Sequence, residues 1–474
     1  MGTRLLSAGF GIAMVSLVMG LPAAAASIGS PPVLEAARAR EIAAAAADSV
    51  DNLYVYPDIG RKIANSLRAR VAAGAYDAAA SASRLSDLLT RDLQEIGNDR
   101  HLSVRLDPSE SGGAVIRRVE GGAPSGAGPG PVQIRRHVGP AGGSGEARRR
   151  SNFGFKAAER LDGNVGLLDV REFVPLNLSR DTAAAAMAFL AGSDAIVVDL
   201  RECPGGAPDT VSFLASYFFG PERRELFSRY DRPMDEKTTE YTEENLPGRR
   251  MPDTDLWIVV GPNTASAGES FAYLLQQFGR ATVVGERTAG AGHNNVLLPI
   301  GEGLVLSVSV ARPIHPRTGK GWEGTGVQPD IRAPAVDALS TAHAAALRRL
   351  LDRASDPKRR RELAWAVERA DASRSRIRPT AAELQEYAGK YGERQVTVEE
   401  GRLVCRTASG RARSLVPVGG NAFSWDEQTR ATFERDGAGR PARLRLEKTD
   451  GGSEIFGRDD SERIGAQGAQ KETR

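Results

Sequence analysis

At 474 residues the chain exceeds what one hydrophobic core usually supports, so two or three domains are expected. Hydrophobic residues make up 41% and charged residues 26%, an ordinary globular balance, and a formal net charge of +3 makes no electrostatic case for nucleic acid or an anionic membrane. Two cysteines are too few for a disulfide framework, and five scattered histidines show no H-E-x-x-H or C-x-x-C spacing, so no metal site is expected.

Residues 1–26 have the form of a bacterial secretory signal: Arg4, an apolar run from Leu5 to Leu21, Pro22, and alanines with an A-x-A site near Ala24 or Ala26. This predicts a periplasmic or secreted protein with no stable membrane association once the signal is cleaved. Residues 31–106 then read as a helical domain of three helices. Leu85, Leu88, Leu89, Leu93 and Ile96 form the clearest stripe, ended by Gly97, and Ile59, Ile63, Leu67 and Val71 mark another helix. The alternation of residues 101–106 predicts a strand, which places His101 at a helix-to-strand corner. Residues 107–152 turn rich in Gly, Pro, Ser and Arg and read as a flexible loop that has room for a hairpin near Val132 to His137.

From 153 to 335 the pattern alternates between strands and helices. Strands are expected at 164–170, 195–200, 256–261 and 281–285, helices at 181–191, 209–218 and after Ser266, and a hairpin at 296–311 turning at Gly301-Glu-Gly303. Such βαβ alternation implies an α/β core with a largely parallel sheet. The octet at 263–270, NTASAGES, falls where an apolar strand yields to an amphipathic helix whose face is Phe271, Leu274, Leu275 and Phe278. A serine there is either a helix cap or a nucleophile facing the unpaired N–H groups and positive dipole end of the helix. Gly205 and Gly206, after the strand ending at Leu200, are either an ordinary turn or a second source of backbone donors.

Residues 336–380 read as a polar helical linker and 381–457 as a small C-terminal antiparallel β domain, with turns at Glu400-Gly401 and Asp436-Gly437; 458–474 form a polar tail. The arginine runs at 148–150 and 359–361 are expected to be solvated, as are His137, His315 and His343.

Taken together, Tyr54-Val-Tyr-Pro-Asp58, Asp99-Arg-His-Leu102, Asp199-Leu-Arg201 with Pro204-Gly-Gly206, Thr264-Ala-Ser-Ala-Gly-Glu269, the Gly285–Gly290 segment and Trp322-Glu-Gly-Thr-Gly-Val-Gln-Pro-Asp330 resemble one serine peptidase family. That family includes the C-terminal processing peptidases, the tricorn core and the interphotoreceptor retinoid-binding protein modules. The resemblance implies a ClpP/crotonase-like βαβ core and an acyl-enzyme on Ser266. Processing peptidases use a lysine base where this chain reads Gly290-Ala291-Gly292, so the tricorn-like arrangement is implied instead: His101 as general base and Glu323 as supporting acid. Arg100 replaces the serine that precedes the histidine in tricorn, which leaves open whether Glu323 or Asp99 orients His101, and His293 is a rival base. The backbone N–H groups of Gly205 or Gly206 and of Ala267 are the implied oxyanion donors. The 107–152 span leaves no room for a PDZ domain, which makes the retinoid-binding-protein branch the nearest. The substrate implied is a polypeptide, with a carrier of apolar ligands or an esterase as the alternatives; nothing indicates the oligomeric state.

Overall fold

The computed structural model describes residues 34–99, 101–106, 145–375 and 379–459. The signal at 1–26, the possible hairpin at 132–137, His137, Arg100 and the tail beyond 459 lie outside the described residues. Among the described residues no helix is long and apolar enough to cross a membrane.

Three helices, Ala36–Leu53, Pro57–Ala72 and Ala82–Gly97, open the chain. Their stripes are buried at Ile63, Leu67, Leu85, Leu89 and Leu93. These helices do not close a core among themselves. They share one with Val296, Leu304, Leu306 and Val308 of the hairpin formed by strands Asn294–Gly301 and Leu304–Ile314. That hairpin belongs to a five-stranded sheet in which Leu304–Ile314 also pairs antiparallel with Ser103–Leu106 and Glu225–Asp231. The sequence pattern places the hairpin with the α/β core; in three dimensions one of its faces closes the helical domain.

The α/β core is a six-stranded sheet in the order 331–332, 281–285, 255–260, 195–199, 165–170, 155–161. All neighbours are parallel except the last pair. Residues 165–170 and 195–199 are buried throughout, as expected of strands covered on both faces. One face is covered by helices Leu176–Leu190, Pro208–Ser216 and Ala267–Gln277, and the other by Ala335–Arg353 and Pro357–Arg374.

The C-terminal domain is a closed antiparallel barrel of eight strands, because Gly389–Tyr391 pairs with both Arg394–Glu399 and Ser453–Asp459. Its interior is filled by Tyr391, Val396, Leu403, Phe423, Phe433 and Leu444, among others. Closure removes the unpaired edges that an open sheet would expose.

Several sequence expectations change. The helix expected at 181–191 begins at Leu176, directly after Pro175, and the expected single linker is two helices. The hairpin of Glu225–Asp231 and Glu236–Tyr241 was not foreseen. His315 is buried at 3% exposure against Tyr273 and Phe278, and His343 is half-buried on the Asp162 carbonyl. The basic run near 360 is a seam rather than a solvated face: Arg359 pairs with Asp194, and Arg361 donates to the Thr449 carbonyl of the barrel. Arg148 is likewise buried. Cys203 and Cys405 are buried free thiols, and burial pushes them up to about 12 and about 11.

Candidate active site

Ser266 sits where the strand Asp255–Val260 gives way to the helix Ala267–Gln277, and it is exposed. Its backbone lies at φ 49°, ψ −115°, a conformation that L residues other than glycine rarely hold and that costs about 1–3 kcal/mol. The turn is held by neighbours. Thr264 donates through Oγ1 to the Leu200 carbonyl at 2.7 Å and accepts from the Gly261 N–H at 3.0 Å, while the Ala265 N–H donates to the Cys203 carbonyl at 3.0 Å. The strand-to-helix turn is thereby fastened to the parallel turn that follows Asp199.

That second turn brings glycine backbone against the serine. A Cβ on Gly205 would meet Ser266 Cβ at 2.8 Å and Ala267 N at 3.1 Å, and Gly205 has φ 123°. Gly206, at φ 136°, is pressed against Phe173, where a Cβ would meet the carbonyl oxygen at 2.1 Å. Flanking groups clamp the pair: the Phe173 N–H donates to the Gly205 carbonyl and the Ala207 N–H to the Phe173 carbonyl. Among the described residues the N–H groups of Gly205, Gly206 and Ala267 have no hydrogen-bond partner. Unpaired donors beside an exposed serine are what an oxyanion requires.

Beneath Ser266 lies Glu269, fully buried. Its carboxylate accepts the Ser266 N–H at 3.0 Å, the Thr288 hydroxyl at 2.5 Å, the Gly290 N–H at 2.6 Å and the Ala291 N–H at 2.8 Å. Burial raises its pKa against the pull of these donors. The loop 288–293 continues from there to a second carboxylate, as the N–H groups of Gly292 and His293 both donate to Glu323 Oε2 at 2.6 Å. Gly324 N donates to the Gly290 carbonyl, and a Cβ on Gly324 would meet the Asn98 carbonyl at 3.0 Å, so the Glu323 turn abuts the end of the third helix.

The sequence-predicted histidine and acid meet there. The helix Ala82–Gly97 ends at Asn98 in the left-handed region, Asp99 accepts the His101 N–H at 2.8 Å, and the chain enters the strand Ser103–Leu106. His101 Nδ1 lies 3.4 Å from Glu323 Oε2 and 3.5 Å from Asp99 Oδ1, ion-pair distances without a well-aligned hydrogen bond. His293 Nδ1 is 3.0 Å from Asp99 Oδ2 and 3.7 Å from Glu323 Oε2. Two histidines therefore share two carboxylates. Burial pushes the His101 imidazole down, but Asp99 and Glu323 outweigh it and bring the group to about 9. Burial also opposes ionisation of Asp99, yet His101 and His293 hold its carboxyl far below the usual range. Among the described residues, Asp99, His293 and Glu323 are the ones placed to hold a cation, each offering a ligand atom within 4.8 Å of the others. Glu323 Oε2, however, already accepts two backbone N–H groups.

The sequence points to Ser266, His101, Glu323, Gly205, Gly206 and Ala267. It gives Glu269 no role and leaves Asp99 a possible helper. Glu269 was open to detection, because Ser266-Ala-Gly-Glu269 has capping-box spacing. Nothing local signals that Asp99 serves both histidines, since that depends on packing residues 194 positions apart in the chain. A cleft of about 250 Å³ beside the cluster is lined by Tyr56, His293, Arg312, Pro313, Lys320 and Glu323, among others.

Residues 164–333 match peptidase family S41, and residues 35–124 match the N-terminal domain of that family found in eukaryotic IRBP. Over these two segments the chain is similar to peptidase family S41. It is 26% identical over 184 residues to a protein named probable CtpA-like serine protease from Staphylococcus aureus (strain COL), covering 39% of this chain and 36% of that one. A protein of the same name from Staphylococcus epidermidis is 25% identical over the same length, with the same coverage. The chain thus spans about a third of the length of these curated relatives. Among solved structures, the photosystem II D1 C-terminal processing protease is 24% identical with a TM-score of 0.30, covering 36% of this chain and 42% of that one. A putative peptidase from Parabacteroides merdae is 16% identical with a TM-score of 0.42, covering 62% and 90%.

Proposed function

We propose that this chain is an exported serine peptidase in which Ser266 attacks a peptide carbonyl, His101 takes the serine proton and Glu323 supports the imidazolium. The observation that carries the proposal is the corner at Ser266: an exposed hydroxyl on strained backbone, abutted by Gly205 and beside unpaired N–H groups of Gly205, Gly206 and Ala267. In this reading, as the tetrahedral intermediate forms, its oxyanion gains these donors without reorganisation of the protein. His101 then passes its proton to the leaving amine, and water attacks the acyl-enzyme by the reverse steps.

Asp99 holds the cluster anionic from within and takes the place of a relay residue next to the histidine. The direct 3.0 Å contact of His293 with Asp99 favours a second assignment of the base, to His293. The apolar-carrier alternative fits the cleft poorly, because its lining includes Arg312, Lys320, His293 and Glu323.

Active-site labelling with a fluorophosphonate tests these assignments. Native protein should label and Ser266→Ala should not; His101→Ala should label at least about 1000-fold more slowly. Persistent labelling of Ser266→Ala would sink the nucleophile assignment. Unimpaired His101→Ala together with an inert His293→Ala would move the base to His293.

A further inference from the structure

The cleft beside the histidine–carboxylate cluster is lined by two cations, Arg312 and Lys320. Some half-buried arginines elsewhere are paired with carboxylates, as Arg171 is with Asp169, Arg201 with Asp199 and Arg369 with Asp162. Among the described residues neither Arg312 nor Lys320 has an ion pair or a side-chain hydrogen bond. The half-buried Arg312 guanidinium lies 5.1 Å from the ring centroid of Tyr56, and the Lys320 ammonium is exposed at the cleft.

Lys320 does not ride on a free loop. The His315 N–H donates to the Lys320 carbonyl at 3.0 Å, and the Gly319 N–H to the His315 carbonyl at 2.8 Å. Arg317 donates to the Phe278 carbonyl at 2.9 Å, and Thr318 is 3.3 Å from the Tyr273 hydroxyl. Tyr273 lies on the helix that begins just after Ser266, and Phe278 directly follows that helix. The loop that carries Lys320 is thus tied to the helix that follows Ser266. Arg312, on the strand Leu304–Ile314, approaches the cleft from the second sheet.

Glu323 accepts the N–H groups of Gly292 and His293 through Oε2, and Arg312 and Lys320 add two positive charges to the same cleft. A pair of unpartnered cations in a half-enclosed space suits a carboxylate, which guanidinium and ammonium groups bind by charge-assisted hydrogen bonds.

We propose that Arg312 and Lys320 form an anion subsite that takes a carboxylate of the polypeptide substrate, supplied either by its C-terminus or by an acidic side chain. This rests on the peptidase reading above. The test uses the Ser266→Ala protein, so that nothing is turned over, and measures fluorescence anisotropy with three fluorescein-labelled octapeptide mixtures of matched random composition. One has free C-termini and no acidic residues, the second is its C-terminal amide, and the third is an amide in which a single Gln position is replaced by Glu.

At low salt, at least one carboxylate-bearing mixture should bind about tenfold more tightly than the neutral amide. Arg312→Gln/Lys320→Gln should reduce that ratio to less than about twofold, with Lys320→Gln alone, at an exposed position, giving an intermediate value. Preference for the free acid identifies a C-terminal carboxylate, and preference for the Glu amide a side chain. Equal binding of all three mixtures, no binding of any, or a preference that survives in the double variant overturns the proposal. Fluorophosphonate labelling of the Ser266-containing protein is scored separately, so failure of the peptidase reading is distinguishable from failure of the subsite.

Discussion

Ser266 and His101 illustrate how single groups are set by their surroundings. The serine is an N-terminal helix residue of a type that most often caps, but its left-handed backbone and the glycines around it leave its hydroxyl exposed. His101 lies between two carboxylates that bring it to about 9, so in neutral solution it is imidazolium and must lose its proton before it can act as a base. Acylation of Ser266 by a fluorophosphonate should therefore rise between about pH 6 and pH 9 and then level off. A profile flat over that range would contradict this protonation state of His101. The sign for stability runs the other way. The folded-state value exceeds the ordinary histidine value of about 6.5, so the stabilisation is fully present below about pH 6.5 and is lost as pH rises through about 9. Urea midpoints at these two pH values should differ more in the native protein than in His101→Ala.

At the scale of elements, Glu269 is the piece on which the nucleophile turn and the 288–293 loop both hang. Removing its carboxylate leaves the N–H groups of Ser266, Gly290 and Ala291 and the Thr288 hydroxyl without their acceptor in a buried place. Glu269→Ala should cost about 3–5 kcal/mol, read as a lowered thermal midpoint, and should slow acylation because the loop also carries the donors to Glu323. Glu269→Gln, which keeps one acceptor oxygen, should lose less. Equal stability of Glu269→Ala and native protein would contradict this reading. The helix stripes and the buried parallel strands were legible in the sequence because their periodicity is local. The strands Glu225–Asp231 and Glu236–Tyr241 were not, since polar residues such as Glu236, Lys237 and Glu240 interrupt the apolar pattern that marks a strand.

Across the whole molecule the barrel keeps its own interior and meets the core along the helix Pro357–Arg374, through Arg361 with the Thr449 carbonyl and Glu368 with Arg430. These are polar contacts at a seam, whereas Leu363 and Ala366 of the same helix are buried with the core sheet. A chain ending after Arg374 should thus fold, unfold cooperatively and label at Ser266 at a rate within a few-fold of the full chain. Aggregation of that truncated chain, or loss of labelling in it, would show that the barrel completes the core.

By itself the sequence determined the order of the domains, the parallel α/β core and the residues of the serine corner, because hydrophobic period, turn glycines and capping residues act over a few positions. Tertiary structure alone decided that Asp99 lies between His101 and His293, that the helical domain borrows its core from the 294–314 hairpin, and that Arg312 and Lys320 face one cleft. Each of those depends on which distant segments pack together, and no local pattern encodes that.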